Sequence, residues 1–406
     1  MKILILAPGS RGDVEPALRI ALGLIADGHE TTIVAHADYE HSVTALGCSF
    51  VPFTMPLEPP AAPDGKAPGA RGYLAHLKTY MSDHARAALA AAQVGGFGAV
   101  ITNPISPYGH DIAEALGVPS AEALLQPSVP SRAYPPMIAS NLDLGPVLNR
   151  GLGRLLGRFP APVDAAVAHI RSELGLPRES RHAAVRRRMR AGLPAHHGIS
   201  PVVLPRPKDW PSNLSLDGFW WPVVDEDWAP EPDLAEFLAA GPPPVLITLG
   251  SVDVRTGGDS AVADFVRTTD RRVIVQGASG LVLAEAAPHR VFAAGDVPHS
   301  WLLPQAAAAV HQAGAGITAA CLRAGTPGLP IPQHTDQFYW AGRAHALGAA
   351  AAPLKGKAST AAGIAAGVDQ VIGDAGFARR AARIGARLED GDSTAPLRRW
   401  AAEHDG

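Results

Sequence analysis

Residues 307–325 read Ala-Ala-Ala-Val-His-Gln-Ala-Gly-Ala-Gly-Ile-Thr-Ala-Ala-Cys-Leu-Arg-Ala-Gly. Ala307 to Val310 is a short apolar run suited to a buried strand, Ala319 to Ala324 is helical, and Gly325 stops it. Between them lies His311-Gln312-Ala313-Gly314-Ala315-Gly316-Ile317-Thr318. Small residues at a strand-to-helix turn let the backbone approach a ligand. The first N–H groups of a helix lack internal partners and carry partial positive charge. The stretch predicts one strand, turn and helix of a parallel α/β sheet, with an anion seat at the turn. His311, Gly314, Gly316 and Thr318 are its candidate diphosphate donors. A structural turn whose histidine caps the helix is the competing reading.

The same unit repeats outward in both directions. Val245 to Leu249, Val273 to Val275, Val291 to Ala293 and Leu329 to Ile331 are further short apolar runs. In the first half, strands are expected at Ile3–Leu6, Thr31–Ala35, Phe50–Phe53 and Ala99–Thr102, with helices at Pro16–Ala26 and Tyr39–Leu46 closed by Gly28 and Gly47. Strands alternating with helices imply a doubly wound sheet covered on both faces. Pro52 to Gly72 lacks periodicity and reads as a long loop. Around Leu204 to Pro232 proline and tryptophan cluster and periodicity stops. The expected division is a first domain at 1–205, a linker at 206–228, a second domain at 229–374, and one long Ala/Arg helical tail at 375–406.

Composition narrows the class of function. The 406 residues are 47% hydrophobic and 18% charged, enough for two large cores. A net charge of −3 gives no global attraction to nucleic acid. Two distant cysteines, Cys48 and Cys321, suit reduced thiols in the cytoplasm. The opening apolar run ends at Pro8, too short for a signal peptide, and no run approaches membrane-spanning length.

Other candidates fall at expected strand ends. Ser251 follows the first strand of the second half, where a phosphate or ribose contact competes with a simple turn. Asp13, in Gly9-Ser10-Arg11-Gly12-Asp13-Val14-Glu15-Pro16, is a general base or a helix cap. Asp336 and Gln337 offer a carboxylate and a carboxamide to sugar hydroxyls, and Tyr339 or Trp340 a ring for an acceptor, against core packing and capping. Asp225-Glu226-Asp227 has the form of a metal motif but lies in the expected linker, and His196-His197 point apart in regular structure, so no metal is expected. Arg150, Arg154 and Arg158, with the Arg186–Arg190 run, read as solvated helix faces in preference to a membrane contact.

Taken in order, Gly9 to Pro16, Gly218-Phe219-Trp220, Val297-Pro298-His299, His311 to Thr318 with Leu322 to Pro327, and Asp336-Gln337 resemble the bacterial members of the UDP-glycosyltransferase family. The likeness is to sterol-glucosyltransferase-like and antibiotic glycosyltransferases, and Pro52 to Leu204 contributes little to it. The resemblance implies a GT-B fold of two Rossmann-like domains facing a cleft, with the last helix crossing back to the first domain. It implies a nucleoside diphosphate sugar donor (UDP or dTDP), a polyketide, macrolide or sterol acceptor, and inverting transfer without metal or other cofactor, by a monomer or homodimer. Asp13 matches the family's base, His311 its phosphate-binding histidine, Gly316 and Thr318 its diphosphate turn, Val297 and Pro298 its base pocket, and Asp336 and Gln337 its sugar-holding pair. The family turn reads His-His-Gly-Gly-Ala-Gly-Thr-Thr, so Gln312, Ala313 and Ile317 depart from it. Ala313 can still fit a tight turn if its φ is negative. A sugar-nucleotide epimerase of the same fold and a noncatalytic partner of another transferase are the alternatives.

Overall fold

The computed structural model describes every residue except 58, 60–68, 138–142, 226, 250–257, 278–283, 285–286, 288, 334–335, 389–390 and 406. The chain divides into two compact units. Met1–Pro136, Asp143–Val223 and Asp392–Gly406 form the first; Met137–Leu142 and Val224–Gly391 form the second.

The first unit holds a seven-stranded sheet: β1 Lys2–Leu6, β2 Glu30–His36, β3 Ser49–Phe53, β4 Ala99–Thr102, β5 Ser120–Leu124, β6 Ala195–His197 and β7 Leu214–Leu216, in the order β3-β2-β1-β4-β5-β6-β7. The second holds β8 Val245–Thr248, β9 Val273–Gln276, β10 Val291–Ala294, β11 Ala308–His311 and β12 Gly328–Pro330, in the order β10-β9-β8-β11-β12. Every pairing is parallel. Both orders reverse beside the first strand, between β1 and β4 and between β8 and β11. Loops leaving the carboxyl ends there diverge and open a crevice.

Strands buried on both faces explain why the sequence could be read. Ile3 and Ile5 pack with the helix Arg11–Ala26, while Leu4 and Leu6 pack with the helices Ala70–Gly95 and Tyr108–Leu116. With both sides apolar, β1 is a continuous hydrophobic run. β5 (Ser-Ala-Glu-Ala-Leu) and β6 (Ala-His-His) are short and polar, and carried no such signal.

Three boundaries move. The first helix starts at Arg11, not Pro16, so Pro16 sits inside it and removes the N–H that would bond to Gly12. The segment 206–228, expected as linker, supplies β7, an edge strand paired with β6. The tail is two helices. Gly376–Gly385 stays in the second unit, where Gly385 lets it approach the Leu322 and Arg323 carbonyls; an added Cβ would lie 2.6 Å from each. Ala395–Glu403 joins the first unit, as the resemblance implied. Leu397, Trp400 and Ala401 are buried with β1, and Trp220 Nε1 donates to the Ser393 carbonyl at 2.9 Å.

Candidate functional site

In the first unit, Gly9 leaves β1 at φ +126° and turns the chain into the helix Arg11–Ala26. Asp13 is the third residue of that helix, not its N-cap, and its carboxyl folds back over Gly9; a Cβ at position 9 would collide with it. The Gly9 N–H donates to the Tyr80 hydroxyl at 2.9 Å, a partner 71 residues away that no local pattern announced. Tyr80 rests edge-on against Phe53, and Phe53 against His84. The buried His84 ring takes the Tyr108 hydroxyl on Nδ1 at 2.5 Å, and burial pushes its pKa down to about 4. A rigid aromatic wall therefore backs the Asp13 loop.

Half-buried Asp13 lines a shallow cleft that is open to solvent. Ile5, Ile20, Ile101 and Trp220 make its apolar lining, and Thr102, Asn103 and Gln126 add polar groups from the ends of β4 and β5. This is the crevice at the β1/β4 reversal, placed as chain topology demands.

In the second unit, β11 ends on His311 beside Thr248 of β8, at the β8/β11 reversal. The His311 ring is 1% exposed, its Nδ1 accepts the Ala313 N–H at 3.0 Å, and a Cβ on Gly328 would come within 2.7 Å of its Nε2. Burial, with His299 nearby, pushes its pKa down to about 4. The ring is therefore neutral near pH 7, with its proton on Nε2. The sequence offered His311 as a phosphate ligand; the structure commits much of the ring to shaping the turn and leaves at most a neutral donor.

Ala313 does not meet the condition of a negative φ. Its φ is +63°, the only positive value outside glycine among the described residues. The turn demands the left-handed region at this point, and Ala adopts it at a cost of about 1–2 kcal/mol. Gly314 is the N-cap, and the helix runs Ala315–Ala324, so it starts well before Ala319 and places Gly316 and Thr318 in or next to its first turn. Gly316 is exposed, with nothing within 4 Å of an added Cβ. Thr318 is 2% exposed, and its Oγ1 has no hydrogen-bond partner. The buried Gln312 Oε1 has none either, and Gln312 Nε2 lies 3.8 Å from the Cβ position of Gly314. Ile317 is buried among Leu246, Ile274 and Leu302, so the family's threonine is exchanged for core packing. The polar equipment of the turn is thus its main-chain N–H groups, Gln312 and Thr318, with Gln312 the residue the sequence undervalued.

Neighbouring strand ends complete the unit. After β10, the Val297 carbonyl accepts Gln276 Nε2 at 3.0 Å, and Gln276 Oε1 meets His299 Nε2 at 2.8 Å, so Val297 and Pro298 are held from β9. After β12, Gln337 Oε1 accepts the Gln333 N–H at 2.8 Å, and Asp336 is the N-cap of the helix Gln337–Ala346 without a side-chain cap bond. Tyr339 and Trp340 are 4% and 1% exposed and pack edge-on at 5.1 Å. Buried rings cannot stack on an acceptor, so the acceptor role offered for them is withdrawn. Ser251 lies outside the described residues.

The remaining motifs settle into structure. Asp225 Oδ1 accepts the Asp227 N–H at 3.0 Å in an exposed acidic turn. Among the described residues no group of three or more His, Cys, Asp or Glu could hold a metal ion. His196 pairs with Asp217 at 2.8 Å, while His197 bonds the Ser215 carbonyl and stacks on Trp210. Arg187 and Arg188 are tied to Glu179, Glu114 and Asp111. Cys48 and Cys321 are buried free thiols, the latter pushed up to about 12 by burial. No helix among the described residues is long and apolar enough to cross a membrane.

Comparison with known proteins agrees with this architecture. Residues 3–135 match the glycosyltransferase family 28 N-terminal domain, and residues 260–394 match the erythromycin biosynthesis protein CIII-like C-terminal domain. The chain is 30% identical to O-mycaminosyltylonolide 6-deoxyallosyltransferase of Streptomyces fradiae, over 95% of this chain and 93% of that one. It is 29% identical to sterol 3-beta-glucosyltransferase UGT80B1 of Arabidopsis thaliana, over 87% of this chain but only 60% of that longer protein. In fold it is similar to the glycosyltransferase SsfS6 of Streptomyces sp. SF2575 complexed with thymidine diphosphate (TM-score 0.62, 22% identity, 99% of both chains). It is also similar to the glycosyltransferase of kitacinnamycin (TM-score 0.68, 17% identity, 99% of this chain and 98% of that one). Two parallel-sheet units, each with a reversal of strand order beside its first strand, and a relative matched over 95% of this chain lead to one assignment: the chain belongs to the GT-B glycosyltransferases that join a family 28 N-terminal domain to an erythromycin biosynthesis protein CIII-like C-terminal domain.

Proposed function

We propose that the chain is an inverting, metal-independent glycosyltransferase moving a sugar from a uridine or thymidine diphosphate to a hydroxyl of an apolar small molecule. The observation that carries this reading is the carboxyl of Asp13 at the mouth of a largely apolar cleft in the first unit. An acceptor sits there with its hydroxyl toward Asp13, which removes the proton as the oxygen attacks the anomeric carbon from the face opposite the diphosphate. One displacement inverts that centre. In the second unit, the helix end at Gly314–Gly316 meets the diphosphate, with Nε2 of Gln312, Oγ1 of Thr318 and Nε2 of His311 as neutral donors. Charge gathering on the leaving group is stabilised by these oriented dipoles, the work a cation does elsewhere. Asp336 and Gln337 hold the sugar, and Val297 and Pro298 flank the base. The relatives' names, a deoxyallosyltransferase of a tylonolide and a glucosyltransferase of sterols, support an apolar acceptor. Buried free thiols support a reducing compartment.

Asp13→Asn keeps the size of the side chain and removes the base. Turnover is expected to fall by about 10²–10⁴-fold while nucleotide affinity stays unchanged. Full turnover in this variant would refute the assignment of the base. An epimerase has no use for an acceptor cleft; conversion of the donor alone would favour it.

A further inference from the structure

The helix Pro146–Leu156 is built inside out. Its only fully buried residue is Asn149, whose Oδ1 accepts the Leu144 N–H and whose Nδ2 donates to Asp143 at 2.8 Å. Gly153 lets this side approach Pro130, where an added Cβ would lie 3.0 Å away. Leu152 and Leu156 are half-buried on the same side, while the other apolar residues face water: Val147 is 70% exposed, Leu148 61% and Leu155 50%, and Phe159 just beyond is 58% exposed. Val147, Leu148, Gly151 and Leu155 share one stripe of the helix, so the exposure is a continuous face. The face is solvated at Arg154 and Arg158, as expected, and Leu148 and Leu155 are exposed beside them.

From Leu144 to Val163 the chain carries three arginines and no acidic residue. Arg154 and Arg158 are exposed beside the apolar stripe, while Arg150 leans toward Asp209 at 3.6 Å. The basic helix Arg181–Arg190 adjoins it: the Arg181 guanidinium bonds the Phe159 carbonyl, and Val185 is 49% exposed. The nearby acids are engaged elsewhere, Asp143 with Asn149, Asp209 with Arg150 and Asp164 with Arg181, so a two-fold pairing of this face with a second copy would bring the exposed Arg154 and Arg158 of both copies together. An anionic bilayer surface satisfies both features at once, taking the apolar side chains below its headgroups and the guanidinium groups among its phosphates.

We infer that the face formed by Pro146–Leu156 and Phe159 seats the protein on an anionic membrane surface as a peripheral attachment. The test is flotation of the full chain with vesicles of phosphatidylcholine alone and of phosphatidylcholine with phosphatidylglycerol. Binding is expected only to the anionic vesicles. It should weaken by about tenfold or more in the triple variant Val147→Ser, Leu148→Ser, Leu155→Ser and by about fivefold in Arg154→Gln. Both variants alter exposed positions and are expected to melt with the parent. Absence of binding, or equal binding by both variants, would overturn the inference. So would a concentration-dependent dimer in light scattering that the triple variant dissolves, since a second copy would then own the face. Arg154→Gln, which leaves the apolar stripe intact, decides the matter if the triple variant folds poorly.

Discussion

At the scale of single residues, the turn after β11 shows where a local rule was broken and what replaced it. Ala313 holds φ +63°, so the glycine of the family pattern was doing conformational work that alanine does at a cost. Ala313→Gly is expected to raise stability by about 0.5–1 kcal/mol, read as a higher urea midpoint for the second unit. A lower midpoint would mean that the methyl group, which is fully buried, packs well enough to outweigh the strain. The sequence named the turn correctly because small residues between an apolar run and a helix are a local signal. It could not show that the His311 ring is buried and accepts the Ala313 N–H, because these are tertiary facts. Asp13 was legible as the acidic residue after the first strand. Tyr80, which holds the Gly9 N–H from another element, was not.

At the scale of elements, legibility followed burial. β1, β4, β8 and β11 are buried on both faces and read as apolar runs. The edge strand β7, flanked by prolines and polar residues, read as a linker. The helix Ala395–Glu403 shows how far an element can sit in sequence from the core it completes. Leu397 is 0% exposed among Ile3, Ile5 and Leu24, and Arg398 is tied to Asp27 of the first helix. Leu397→Ala is expected to cost the first unit about 2–5 kcal/mol and to leave the second unit's transition where it was. Two unfolding transitions followed by intrinsic tryptophan fluorescence would check this. A shift confined to the second unit would contradict the division of the tail.

At the scale of the molecule, three buried histidines make stability depend on acid. His84 and His197 in the first unit and His311 in the second are each held at about 4 by burial, below the ordinary value near 6.5. The unfolded chain binds protons that the folded one refuses between these values, so their contribution is intact above pH 6.5 and is lost as pH falls toward 4. The loss is on the order of 3 kcal/mol per histidine. Urea midpoints at pH 7 and 4.5 should therefore differ strongly, and more for the first unit than for the second. A flat profile would contradict it. The proposed transfer requires a nucleoside diphosphate to bind at the helix end beginning with Gly314, and Gly316 allows this to be tested cleanly. An added Cβ meets nothing within 4 Å, and a carboxylate in the first turn favours the helix itself, so Gly316→Asp should fold as the parent does. Calorimetric titration of uridine and thymidine diphosphates is predicted to show binding to the parent protein and at least about a hundredfold loss in Gly316→Asp, because the carboxylate takes the anion's place and repels it. Equal affinity in parent and variant would place the diphosphate elsewhere.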